Sequence, residues 1–108
     1  MGQKGCPIER TVNILEGKWT LLILRELFTG TKRFGELRAE LVGVSPKTLA
    51  ERLRILEQQG IITRTIYPEV PPRVEYSLTP LGQTLNPIIE ALREWGTQWA
   101  DQVLPVPE

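Results

Sequence analysis

At Gly60 the apolar residues of this 108-residue chain change their spacing, and no other feature limits the fold as much. The stretch before that point, Ser45 to Gly60, reads SPKTLAERLRILEQQG and carries the signals of a helix at both ends. Ser45 can accept a hydrogen bond from an orphan backbone N–H, and Pro46 suits the first helical position. Gly60 suits the left-handed stop beyond the last turn. At 100° per residue, Leu49, Leu53 and Leu56 form one stripe. Lys47, Thr48, Glu51 and Gln58 lie on the other side, with Arg52 and Arg54 at its flanks. Beyond Gly60, Val74, Tyr76 and Leu78 alternate with Arg73, Glu75, Ser77 and Thr79, as in a half-buried strand. The β-branched run Ile61 to Tyr67 supplies its partner. The linking PEVPP cannot continue a ladder at its three prolines and predicts a stiff, protruding hairpin loop.

The remaining segments read as helices. Cys6-Pro7 opens a first helix to about Glu16, with Ile8, Val12 and Leu15 on one face and Gly17 as its stop. From Lys18 to Thr29, KWTLLILRELFT is apolar almost all round, as a central helix covered on most sides would be. Trp19 is expected in the core, and Gly30 ends the helix. A short extended piece at Lys32-Arg33 precedes a helix from about Phe34 to Leu41, and Val42-Gly43-Val44 forms the turn into the helix at Ser45. Thr79-Pro80 repeats the cap-plus-proline start for a last helix to about Ala100, which Pro87 should kink or split. One domain is expected over 1–108, ordered from about 6 to 100, with 101–108 as a tail.

Composition removes several functions. There is one cysteine and no histidine, so a histidine-based triad and a zinc site of the usual Cys/His kind cannot be built within one chain. No phosphate-binding glycine loop appears, and the carboxylates are scattered, so no enzyme activity and no cofactor are expected. No apolar run nears the roughly 20 residues of a membrane span. The start MGQKGCPIER lacks the apolar stretch of a secretory signal, and Cys6 stands where a myristoylation signal wants Ser or Thr. A cytoplasmic protein with no membrane partner is the expectation. The net charge of zero hides a division. Residues 1–64 hold 11 Lys and Arg against 7 Asp and Glu, whereas residues 65–108 hold 2 against 6. A basic half suits a polyanion partner, because binding depends on the face presented and not on the total.

Two consecutive helices joined by a glycine-containing turn and followed by a hairpin make a winged helix-turn-helix, whose second helix enters the DNA major groove. The fold class is therefore α+β, mostly α. In this arrangement Ser45, Lys47, Thr48, Glu51 and Arg52 face double-stranded DNA, with the N-terminal half nearest the bases. A solvated helix face is the plainer alternative. Arg54 lies further along, as a phosphate contact or an intrahelical partner. Arg73, placed at the wing tip, can reach the minor groove or a phosphate, or else pair across the hairpin with Glu69 or Glu75. Lys32, Arg33 and Arg38 are weaker phosphate candidates.

The chain resembles the HxlR-type transcriptional regulators, relatives of the MarR repressors, through CPIERT (6–11), GKWTLLILREL (17–27), RFGELR (33–38), SPKTLAERLRILE (45–57), YPEVPPRVEYSLTPLG (67–82) and ALREWG (91–96). Glu16 departs from the glycine common there. The resemblance implies a homodimeric DNA-binding regulator joined through N- and C-terminal dimerisation helices. The residues agree: Leu81, Leu85, Ile88, Leu92, Trp95 and Trp99 step by 4, 3, 4, 3, 4, a heptad seam. Such a seam can also bury within one chain. Its two tryptophans exceed what a small monomer readily covers, and Ile8 and Val12 are expected to contribute to the dimer interface. The resemblance also implies that a cysteine placed like Cys6 can sense oxidants or electrophiles. The N–H groups of a helix start, with Lys4 and Arg10 near, stabilise an anionic sulfur. A capping or packing role for Cys6 stands beside that reading. A winged helix that binds protein and not DNA is the alternative function. The effector and operator are not legible.

Overall fold

The computed structural model describes residues 5–104. Six helices and three strands follow in order: α1 (Pro7–Leu15), α2 (Lys18–Leu27), β1 (Lys32–Arg33), α3 (Phe34–Glu40), α4 (Pro46–Gln58), β2 (Ile62–Tyr67), β3 (Arg73–Leu78), α5 (Pro80–Gln83) and α6 (Asn86–Val103). The sheet is antiparallel in the order β1-β3-β2. Strand β3 pairs Lys32 with Tyr76 on one edge and runs Ile62↔Leu78 through Tyr67↔Arg73 on the other. Helices hold most of the chain, and the small sheet is the wing of a winged helix.

The core gathers around α2. Ile23, Leu24 and Leu27 are buried, and they meet Leu37 from α3 and Leu41 just past its end, Leu49, Leu53 and Leu56 from α4, Ile61 just ahead of the wing, Ile62 and Tyr76 within it, and Ile89 from α6. Each leucine of the α4 stripe contributes about 1.5–3 kcal/mol by leaving water. Trp19 is half-buried against this core, and Lys18 Nζ lies 4.7 Å above its ring. None of the helices among the described residues is long and apolar enough to cross a membrane.

Local chemistry sets the joints. Between α3 and α4, Val44 N–H donates to the Leu41 carbonyl at 3.1 Å, and Gly43 takes a φ of +96°, where a side chain would be strained. Ser45 caps α4 as its composition predicts, with Oγ accepting from Thr48 N–H at 3.0 Å. The base of the wing is tied to the end of α4 by Thr79, whose hydroxyl donates to the carbonyls of Gly60 at 2.6 Å and Ile61 at 3.0 Å. Its backbone N–H donates to Ile61 as well. Gly82 then passes so close to the Ile61 carbonyl that a Cβ there would collide with it.

The split expected at Pro87 is present, and the end of the last helix differs from the sequence reading. The last helix is split ahead of Pro87: α5 closes at Gln83, and Pro87 falls in the first turn of α6, where no donor is needed. Helix α6 runs on to Val103, three residues past the expected helix end at Ala100. It stops where Leu104, which precedes Pro105, is pushed out of the helical region. Residues 105–108 of the expected tail and Lys4 lie outside the described residues.

Candidate nucleic-acid interface

Burying Leu49, Leu53 and Leu56 turns the opposite side of α4 outward. Lys47 is exposed beside the Ser45 cap, and no carboxylate lies within ion-pair distance of it among the described residues. Thr48 is half-buried, and its hydroxyl accepts a hydrogen bond from Ser45 Oγ at 3.0 Å. One turn on, Glu51 and Arg54 close on each other, with Arg54 Nη2 2.6 Å from Glu51 Oε2 and both about half exposed. Arg54 thus takes the intrahelical partner that its spacing allowed. Arg52 lies differently from its neighbours. It is half-buried, and its guanidinium covers the turn between α1 and α2, where a Cβ on Gly17 would stand 3.6 Å from its carbon.

The other basic candidates flank this face. Arg33 is the N-cap of α3, and its N–H donates to Glu36 Oε1 at 2.7 Å while its side chain is exposed. Arg38 is also exposed and outside every ion pair found among the described residues. Lys32 Nζ donates to Thr29 Oγ1 at 2.7 Å.

Arg73 is at the first residue of β3, opposite Tyr67, and not at the tip of the loop. It pairs with both carboxylates that its position offered, Glu69 at 3.1 Å and Glu75 at 3.3 Å. Its guanidinium also stacks on Tyr67, 4.0 Å from the ring centroid. Sequence reasoning named the two carboxylates and missed the aromatic ring. The signal was present, because Tyr67 and Arg73 bracket the loop and a hairpin must bring such residues opposite each other. Under the wing, burial pushes the Tyr76 phenol above its ordinary value, against the lowering effect of Arg64 and with a smaller rise from Glu57.

The proposed dimer seam divides into two parts. Leu85 and Ile88 are half-buried against the chain's own core, and Ile89 beside them is buried. Leu92, Trp95 and Trp99 stay 51%, 54% and 42% exposed, and Leu81 on α5 is 56% exposed. On α1, Ile8 and Val12 are exposed too. With Leu15, Leu21, Ile88 and Leu92 they line an apolar groove of about 610 Å³. Cys6 is exposed at the start of α1, where its sulfur accepts from Glu9 N–H at 3.4 Å and so caps the helix.

A glycine-turned helix pair with its second helix outward, tied at Thr79 to a three-stranded wing, is a winged helix-turn-helix. The family model for the HxlR-like helix-turn-helix matches residues 14–104. The chain belongs to that family, whose members are transcriptional regulators akin to the MarR group. It is 52% identical over 97 residues to the HTH-type transcriptional regulator sll1512 of Synechocystis, covering 90% of this chain and 72% of that protein. Among solved structures it superimposes on the redox regulator HypR. The reduced form matches with a TM-score of 0.88 at 40% identity, covering 91% of this chain and 97% of that one. The oxidised form matches with a TM-score of 0.82 at 42% identity over 85% and 95%.

Proposed function

We propose that this protein is a cytoplasmic, homodimeric regulator of transcription that binds an inverted-repeat operator, with α4 entering the major groove of each half-site. The observation that carries this reading is the outward face at the start of α4, where Lys47 stands beside Ser45 and Thr48 without a carboxylate partner among the described residues. Phosphates bind to a local excess of cations, and bases are read by the residues that reach deepest. Lys47 and Thr48 take the reading role, with Ser45 orienting the helix end. Arg33 and Arg38 hold the flanking backbone. Arg52 supports α4 from behind, at the α1–α2 turn, and contributes to reading if its guanidinium swings outward on binding.

The dimer reading rests on Leu92, Trp95 and Trp99, which leave more apolar surface in water than a monomer of this size normally tolerates. A second copy covering that face sets two α4 helices at a fixed spacing, as an inverted repeat requires. Cys6 supports a second reading. It is the chain's one cysteine and is exposed, and the structural relative HypR is described as a redox regulator. Oxidants would act by joining Cys6 to another thiol: an S–S bond replaces two S–H bonds, and the two electrons and two protons released pass to the oxidant, next to a helix expected at the dimer interface.

One set of measurements tests the whole reading. Sedimentation should give a dimer at micromolar concentration, and Leu92→Asp with Trp95→Glu should give monomers. Affinity for a duplex selected by the protein should fall steeply between about 50 and 200 mM salt. A monomer in sedimentation, or binding indifferent to salt, would instead favour a protein partner for the winged helix.

A further inference from the structure

The wing's own charge is closed on itself. Arg73 faces Glu69 and Glu75 at 3.1 and 3.3 Å, stacks on Tyr67 at 4.0 Å, and has a side chain only 28% exposed. Its Nε is buried and has no hydrogen-bond partner. Leaving this position would break two ion pairs and the stack together. Arg64, the other cation of the hairpin, lies 3.5 Å from Glu57. One guanidinium between two carboxylates leaves a formal charge of −1 at the base of the loop, so a DNA phosphate would have to displace both carboxylates against that charge.

The loop shows what the cluster holds. Between Tyr67 and Arg73 run Pro68, Glu69, Val70, Pro71 and Pro72. Three of these five residues have φ set by their rings. Glu69 is held by Arg73, and its N–H donates to the Tyr67 carbonyl at 2.8 Å. Val70 is left at the tip, 99% exposed.

We propose that Arg73 is a positioning residue for DNA binding: it clamps the loop through Glu69, Glu75 and Tyr67, so that the wing meets the duplex as a stiff strut tipped by Val70, and it supplies no phosphate contact itself. This rests on the DNA-binding reading above and assigns the wing's part in it. A loop ordered before binding loses little freedom on the duplex, which is how a clamp remote from the contact raises affinity.

Two substitutions separate the clamp from a phosphate ligand. Arg73→Gln removes the charge, whereas Arg73→Lys keeps it but cannot bridge two carboxylates and stack on a ring at once. Anisotropy titrations on a duplex selected by the protein should show both variants weakened by about three- to tenfold, the cost of ordering one or two side chains on binding. The slope of affinity against salt should stay unchanged in both. Amide hydrogen exchange of the free protein should rise across residues 66–70 in both variants and in Glu69→Gln, with the exchange of α2 and α4 unaltered. The proposal is overturned if Lys restores binding and Gln flattens the salt slope by about 0.9 per wing, as loss of one phosphate contact would. It is overturned equally if exchange in the hairpin does not rise. Should the wild-type protein retain no duplex, the DNA-binding reading fails, and the exchange measurement alone still decides whether Arg73 clamps the loop.

Discussion

The outer face of α4 and the wing stand side by side on one core, yet they use their charges in opposite ways. Lys47, at the start of α4, stands free of carboxylates among the described residues. On the wing, Arg64 and Arg73 are both engaged by glutamates. A count of basic residues would mark both regions as suited to DNA. The geometry leaves an open cation on one, at Lys47, and makes the other a braced scaffold. Positive charge in a sequence marks a surface for a polyanion only where the fold leaves it uncompensated.

The contrast can be broken from beneath or sharpened at single residues. Leu53 is 1% exposed in the shared core, so Leu53→Ala should cost about 2–5 kcal/mol of stability through lost burial and the cavity left behind. Chemical denaturation would measure that loss, and α4 and the wing should unfold in one transition. Separate transitions would mean that the Thr79 ties do not couple them. Ser45→Ala removes the cap of α4 and should cost about 1 kcal/mol. Its loss of DNA affinity should exceed its loss of stability, because the first turn that frays also carries Lys47. The wing's amide exchange should not change. The smallest effect is expected at Arg54, whose ion pair with Glu51 is about half exposed on both sides. Arg54→Gln should change stability by about 0.5 kcal/mol or less. A larger effect on DNA affinity than Lys47→Gln shows would move the open charge to the second turn of α4.

The family resemblance and the order of elements could be read from the chain alone, and the reasons are local. Ser45-Pro46, Thr79-Pro80 and the change of period at Gly60 act within a few residues of themselves, so caps, strand alternation and turn needed no distant partner. The stripe of Leu49, Leu53 and Leu56 likewise named the buried side of α4. Other features needed the third dimension. The heptad steps from Leu81 to Trp99 ran unbroken in the sequence, whereas the fold buries Ile89 and half-buries Leu85 and Ile88 while leaving Leu92, Trp95 and Trp99 in water. Spacing records which residues share a face, but only packing decides how far along that face the chain's own core extends. Arg52 and Arg54 looked alike at the flanks of one helix. The α1–α2 turn drew Arg52 over Gly17, and Glu51 took Arg54. For Arg73 the sequence left a phosphate and two glutamates in competition; the hairpin register set Tyr67 opposite it, and strand alternation put Glu75 on the same face of β3. A long, flexible cation bonds to whatever the fold brings near it, so the residue type could be read in advance, while its partner was settled by tertiary structure.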